Sequence, residues 1–69
     1  MDAPPPGYTD PIIVYLVETK ETGECAQIGG FFSEEEANVL LERLLGEGRD
    51  AYINMVPIHR RVVDYEFDR

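Results

Sequence analysis

The sequence predicts an α+β domain in which a three- or four-stranded antiparallel sheet carries one helix across one face, in the order ββαβ. Three observations support this fold class: a β-branched apolar run at residues 12–17, a helix pattern with both ends marked at 33–48, and alternating apolar residues at 51–67. The chain has 69 residues, and a chain of that size buries only about 60% of its unfolded surface. We therefore expect one small domain, residues 12–69, with a modest core.

The N-terminal segment is rich in proline. Residues 1–11 contain all but one of the five prolines, so this segment cannot join a helix or a central strand. We expect a disordered tail that is mobile or extended. Within it, Pro5-Pro6-Gly7-Tyr8 matches the short Pro-Pro-x-Tyr pattern that some polyproline-reading domains recognise. The alternative is a lead-in to the first strand without a ligand role, since so short a pattern also arises by chance.

The first two strands form a predicted hairpin. Residues 12–17 are apolar in both alternating phases, which is typical of a central strand covered on two sides. The polar run at 19–24 predicts the turn of a hairpin, and the partner strand spans 25–31. Gly29 and Gly30 near the end of that strand favour a bulge, a close helix crossing or a tight exit into the helix.

The helix is the most completely specified element. Ser33 is a preferred N-cap, and Glu36 three residues later completes a capping box. The acids at 34–36 suit the positive end of the helix dipole, which explains their charge structurally. Gly46 and Gly48 offer left-handed positions that end the helix. Five apolar residues recur with helical spacing and form one stripe that must lie on the sheet: Ala37, Leu40, Leu41, Leu44 and Leu45.

The C-terminal third alternates between apolar and polar residues over most of residues 51–67. Pro57 lacks an amide hydrogen, so this region is either two strands broken near Pro57 or one long strand with a bend there. No Asn-Gly or Asp-Gly pair lies between Met55 and Val62 to make a tight hairpin. We therefore favour the bent, continuous strand, with its last part, residues 60–67, paired beside the first strand.

One helix covers one face of a sheet, whereas the first and last strands carry apolar side chains in both phases. An exposed apolar sheet of that size is unusual for a soluble monomer, so we expect a second copy or a host protein to pack there. The apolar contacts are expected at Tyr15, Val56, Ile58, Val62 and Tyr65. The electrostatic contacts are expected at Glu34, Glu35, Glu42 and Asp64. This predicts a non-enzymatic protein-interaction module, acting as a homodimer or on a host protein.

The charge is strongly negative. Fourteen acids oppose six bases, for a net charge of −8, which disfavours direct nucleic-acid binding because such surfaces are basic. An acidic surface steers a protein towards basic partners. A second functional hypothesis is therefore an acidic nucleic-acid mimic that inhibits a DNA-binding host protein.

Candidate chemistry is sparse. Cys25 is the only cysteine and His59 the only histidine. In principle Cys25 offers a nucleophile and His59 a base, with Asp64 or Glu66 orienting the imidazole. Their spacing in the sequence does not require such a pair. Zinc requires four ligands that are mostly Cys or His. We expect no enzyme activity, no cofactor and no metal. A single cysteine excludes an internal disulfide, and no signal or membrane segment is evident, so we expect a cytoplasmic protein without membrane contact.

Part of the chain resembles the SPOR domain, which binds denuded peptidoglycan glycan strands. The resemblance covers about half of the chain and rests on residues 26–31 and 33–37, on Leu41, Leu44 and Gly48, and on residues 51–53. It implies glycan binding, a third functional hypothesis. The SPOR fold also has a second helix and a further strand, and no second helical pattern follows Gly48.

Nearly all of the folded part resembles a group of short bacterial and bacteriophage proteins of unknown function. The resemblance is carried by a hydrophobic strand at 14–17, a polar hairpin, a Gly-Phe-Phe-Ser-Glu-Glu-Glu-Ala segment at 30–37 that opens a helix, and Tyr65-Glu66-Phe67-Asp68 at the C-terminus. It implies a bacterial or phage origin, with the host cytoplasm as the location if phage-encoded, and it brings no established activity or site residues.

Overall fold

The computed structural model describes residues 3–21 and 23–69; Met1 and Asp2 of the predicted tail and Thr22 of the predicted turn lie outside the described residues. It confirms an α+β fold with a three-stranded antiparallel sheet and one long helix on one face. The elements in chain order are β1 Ile12–Glu21, β2 Glu24–Phe31, α1 Glu34–Gly46, β3 Ala51–Ile58 and α2 Val62–Asp68.

The sheet has the strand order β2-β1-β3, so β1 is the central strand, as its apolar character in both phases predicted. Val17 of β1 lies opposite Gly29 on one side and Ile53 on the other. The register with β2 shifts between Val17 and Glu18, where a bulge accommodates one extra residue of β2. Since residues directly opposite each other in a sheet point to the same face, this register defines the two faces.

The core lies between α1 and the sheet face that carries the odd-numbered residues of β1. Val17 and Ala37 are fully buried, and Leu44 is nearly so. Gly29 lies beneath α1, since a Cβ there would be in ordinary contact with the Leu40 Cδ2 atom at 3.5 Å. Other apolar residues pack around this centre: Tyr15, Phe31, Leu40, Ala51 and Ile53. The predicted helix stripe is thus confirmed at its centre, while Leu45 at its edge is half-exposed.

The N-cap of α1 is the predicted Ser33, and of the two glycines predicted to end the helix Gly48 is left-handed, whereas Gly46 is the last helical residue. Ser33 is extended, and its Oγ atom accepts a hydrogen bond from the Glu36 amide at 3.5 Å. At the other end Gly48 has a φ of +81°, a left-handed conformation that glycine adopts without strain. The amide of Arg49 then bonds back to the Leu44 carbonyl at 3.1 Å, which turns the chain towards β3.

The predicted continuous strand at residues 51–67 is wrong in its second half. β3 ends at Ile58, one residue after Pro57, and the chain forms α2 instead of a strand at 60–67. The register explains the difference, because Ile58 lies opposite Ile12, the first residue of β1. Pro11, which precedes Ile12, has no amide hydrogen and cannot donate a further hydrogen bond between the strands. A longer β3 would therefore have no regular partner strand.

The N-terminal segment contains no helix or strand among its described residues, but it contacts α2. The Tyr8 ring meets the Phe67 ring edge-on, with centroids 5.1 Å apart. No Cα atom of α2 comes within 8 Å of a Cα atom in the described strands or α1. The described chain is consequently elongated, with extents of 47 × 25 × 19 Å. The mobility expected for residues 1–11 stays a prediction.

Candidate interaction surface

The sheet face opposite α1 has no helix over it in the described part of the chain. We call this surface the open face. Its apolar half consists of Ile12, Val14 and Leu16 of β1, Gly30 of β2, and Val56 and Ile58 of β3. Ile12 and Ile58, which lie opposite each other, are 57% and 49% exposed. This half contains no charged side chain.

Gly30 shapes the centre of the open face. A Cβ at this position would lie 2.9 Å from Leu16 Cδ2 and 3.4 Å from Val14 Cγ1. The glycine therefore leaves space that the Leu16 side chain occupies, with Val14 beside it. The apolar side chains of β1 thus extend towards β2, while on the β3 side Leu16 lies opposite the polar Asn54.

The other half of the open face is polar. Glu18 accepts a hydrogen bond from Gln27 at 3.5 Å. Hydrogen bonding to Cys25 and to Glu18 raises the pKa of Tyr52 to about 12. Glu18, Gln27 and Tyr52 stand on three neighbouring strands and make this half hydrophilic. Cys25 of the same half is a free, exposed cysteine. The two halves therefore differ in chemistry along the direction of the strands.

The predicted apolar contacts fall on three different surfaces. Val56 and Ile58 lie on the open face, as expected. Tyr15 instead lies on the helix-facing side and packs against the core. Val62 and Tyr65 are exposed, but they belong to α2 rather than to the sheet. The sequence reasoning missed Ile12, Val14 and Leu16, because both phases of β1 are apolar and only the position of α1 shows which phase is open.

The predicted electrostatic contacts are also divided. Glu34, Glu35 and Glu42 are exposed on α1, on the opposite side of the sheet from the open face. Asp64 differs from the expectation, because it is fully buried and accepts hydrogen bonds from Arg61 at 2.7 and 3.3 Å. This carboxylate raises the pKa of the Arg61 guanidinium. Asp64 therefore serves the interior contacts of α2 rather than an exposed acidic surface.

A cluster of polar and aromatic residues lies at the end of the molecule where β3 leads into α2. Asp68 accepts a hydrogen bond from the Tyr8 hydroxyl at 2.6 Å, and His59 Nε2 lies 3.1 Å from its other oxygen. The His59 ring meets the Tyr65 ring edge-on at 5.6 Å. The bond to Asp68 raises the pKa of Tyr8 to about 12. A shallow cleft of about 280 Å³ is lined by Pro11, Pro57, His59, Tyr65, Asp68 and Arg69.

The structure does not bring Cys25 and His59, the candidate nucleophile and base, together. Cys25 lies opposite Lys20, while His59 follows Ile58 at the far end of the sheet. Nine residue steps along a strand separate the two positions by about 30 Å. The carboxylate beside His59 is Asp68, and neither Asp64 nor Glu66 contacts the imidazole in the described hydrogen bonds.

Within residues 3–21 and 23–69, no group of three or more His, Cys, Asp or Glu side chains is arranged to hold a metal ion. No helix in the same described residues has the length and apolar character needed to cross a membrane.

Comparison of the chain with protein-family models, with curated proteins and with solved structures found no match. The two sequence resemblances therefore stay predictions. For the SPOR domain, the structure corrects one expectation, since a second helix does follow Gly48; in the described residues it comes after β3, and no strand follows it.

Proposed function

We propose that this protein is a small non-enzymatic interaction module that binds a second copy of itself through the open face. The observation that carries this proposal is the uncharged apolar half of that face, which no described helix covers. Two such faces bury each other's Ile12 and Ile58, the most exposed apolar side chains of the face. On the sequence resemblance, we further propose that it is a bacterial or phage accessory protein.

The charge distribution supports this arrangement over the alternatives for self-association. The chain carries a net charge of −8, so two copies repel each other unless their acids are far apart. Glu34, Glu35 and Glu42 lie on α1, on the outer side of the sheet. When two sheets pack face to face about 10 Å apart, both acidic helices point away from the interface. Their separation then exceeds the Debye length of about 8 Å at physiological salt.

The size of the surface sets the expected affinity. Three strands about 4.8 Å apart, with a paired length of eight residues, present roughly 400 Å² of face. A dimer through the whole face then buries roughly 800 Å² in total, and one through the apolar half about half of that, and both areas are below the standard range for stable complexes. We therefore expect a weak, concentration-dependent dimer. A host protein on the same face is the competing occupant.

Sedimentation of single and double variants tests the proposal. We expect the wild-type protein to shift from monomer to dimer as concentration rises, and the Ile12→Asp/Ile58→Asp double variant to weaken dimerisation at least about tenfold, or about 1.4 kcal/mol. Both positions are more than 45% exposed in the monomer, so folding should tolerate the change. Val39→Asp, on the exposed side of α1, is the matched control and should dimerise like the wild type.

Two results would contradict this function. One is a wild-type protein that remains monomeric at about 1 mM, well above the dissociation constants of most weak specific dimers. The other is a double variant that dimerises as well as Val39→Asp. Capture of a host protein by the wild type and not by the double variant would show that the open face binds a host protein instead of a second copy.

A further inference from the structure

We propose that α2 is a conditional helix, held in place by the N-terminal segment acting as a latch. We define the latch as residues 5–8. The inference concerns α2 and the N-terminal segment, which adjoin the end of the sheet that carries Ile12 and Ile58. Its test follows residues 62–68 and not dimerisation, so the two proposals can fail separately.

The sequence of α2 does not favour a helix by itself. Val62, Val63, Tyr65 and Phe67 are β-branched or aromatic, residue types that prefer strands to helices. Arg61 at the N-cap position makes no side-chain capping bond. The helix has seven residues, whereas isolated helices shorter than about 12 residues are marginal in water. Its stability must therefore come from tertiary contacts.

Some of those contacts come from His59, whose Nε2 lies 3.1 Å from Asp68 and whose ring meets the Tyr65 ring, and the others come from residues 5–8. The backbone of α2 stays more than 8 Å, Cα to Cα, from the described strands and α1. Three contacts join α2 and its N-cap residue to the latch instead. The Tyr8 hydroxyl donates to Asp68 at 2.6 Å, the Tyr8 ring packs on Phe67 at 5.1 Å, and Arg61 Nη2 donates to the Pro6 carbonyl at 2.9 Å.

The Pro-Pro-Gly-Tyr sequence is well suited to this role. The Tyr8 amide donates to the Pro5 carbonyl at 3.0 Å, which closes a four-residue turn. Pro6 and Gly7 occupy its centre, and Gly7 has a φ of +78°, as a type II turn requires. A Cβ on Gly7 would lie 3.6 Å from Arg61 Nη1, so the guanidinium rests against the turn. The motif that resembled a polyproline ligand thus has a structural use within the chain.

Arg61 links the latch to α2. Its guanidinium binds both the Pro6 carbonyl and the fully buried Asp64 in the first turn of α2. Undocking the turn exposes this ion pair to water and removes the ring contact at Phe67. The strand-forming residues of α2 then lose the contacts that keep them helical. The latch also holds such a segment away from the edge strand β3, which directly precedes it.

The test uses the full chain and nuclear magnetic resonance. In the wild type, we expect helical Cα chemical shifts and slowed amide exchange for residues 62–68. In Tyr8→Ala, and more completely in Tyr8→Ala/Arg61→Gln, these residues should lose both signatures while residues 34–46 of α1 keep them. Thr9→Ala, an exposed neighbour of the latch, is the control and should resemble the wild type.

Two outcomes overturn the proposal. Helical shifts that persist at residues 62–68 in the double variant would show that α2 is stable without the latch. Simultaneous loss of the helical shifts of α1 and α2 would show that α2 belongs to the main cooperative unit. Random-coil or extended shifts confined to residues 62–68 both support the latch.

Discussion

Tyr8 is harder to ionise than a free tyrosine because its hydroxyl donates to the Asp68 carboxylate. An anionic Tyr8 would face that carboxylate at hydrogen-bonding distance without a proton between them. This bond therefore raises the pKa of Tyr8 from 10.0 to about 12. Single residues at this end of the molecule thus help to hold a whole element in place: Tyr8 and Arg61 link α2 to the N-terminal segment, and His59 contacts Asp68 and Tyr65.

The raised pKa predicts how the latch depends on pH. Because the pKa is higher in the folded than in the unfolded state, the protonated phenol stabilises the docked segment fully below pH 10. That stabilisation is lost as pH rises from 10 towards 12. Tyrosinate absorbance should show a late-titrating phenol that Tyr8→Phe removes. Tyr52→Phe should remove a second one, since the pKa of Tyr52 is also raised to about 12. Titration of Tyr8 near pH 10 would contradict the docked geometry.

At the scale of elements, α1 and α2 represent opposite cases. The ends, the apolar stripe and the acidic first turn of α1 are all local features. The structure confirms the N-cap at Ser33, the left-handed Gly48, the acidic first turn and the centre of the stripe. The sequence of α2 indicates a strand, and the structure shows a helix. Local propensity decides a segment when packing agrees with it, as in α1. In α2 the missing partner strand removes the strand option, and the contact with Tyr8 favours the helix.

The packing of α1 on the sheet predicts that alanine substitutions at two adjacent leucines lower the free energy of unfolding by very different amounts. Leu44 is 4% exposed and Leu45 is 50% exposed. Leu44→Ala removes buried methyl groups from the contact with Val17, so it should lower the free energy of unfolding by about 2–5 kcal/mol. Leu45→Ala should lower it by less than about 1 kcal/mol. Urea unfolding of both variants measures the difference, and equal losses would show that α1 is rotated relative to the described packing.

The N-cap of α1 offers a second test at this scale. Ser33→Ala removes the acceptor for the Glu36 amide and should lower the free energy of unfolding by about 1 kcal/mol. Ser33→Asp retains an acceptor at the cap position and is the matched control, which should stay within about 0.5 kcal/mol of the wild type. A similar loss of unfolding free energy in both variants would show that Ser33 does not stabilise the protein through its capping hydrogen bond.

The whole molecule separates its surface properties by side. Acids of α1 lie on one side of the sheet, the uncharged apolar half lies on the other, and α2 with its latch lies at one end. A layout of this kind allows a chain with a net charge of −8 to associate with itself without bringing its acidic helices together. In the proposed dimer, association is therefore expected to depend on the open face rather than on the overall charge.

This layout predicts a weak effect of salt on the dimer. Raising the ionic strength from about 0.1 M to 1 M shortens the Debye length from about 10 Å to about 3 Å. With both acidic helices facing outwards, the dissociation constant should change by less than about threefold. Sedimentation equilibrium across this range measures it. Tightening by more than about tenfold on adding salt would indicate that the acids of α1 face each other in the dimer.

The sequence by itself determined the hairpin, the capped helix α1 and the central position of β1, because caps, turns and alternating patterns act over a few residues. Two matters were decided only by the tertiary structure. Which phase of β1 stays open depends on where α1 packs, since both phases are apolar. Whether residues 62–68 form a strand or a helix depends on Pro11 ending the ladder and on Tyr8, 60 residues from Asp68, reaching α2. No local pattern contains such distant contacts.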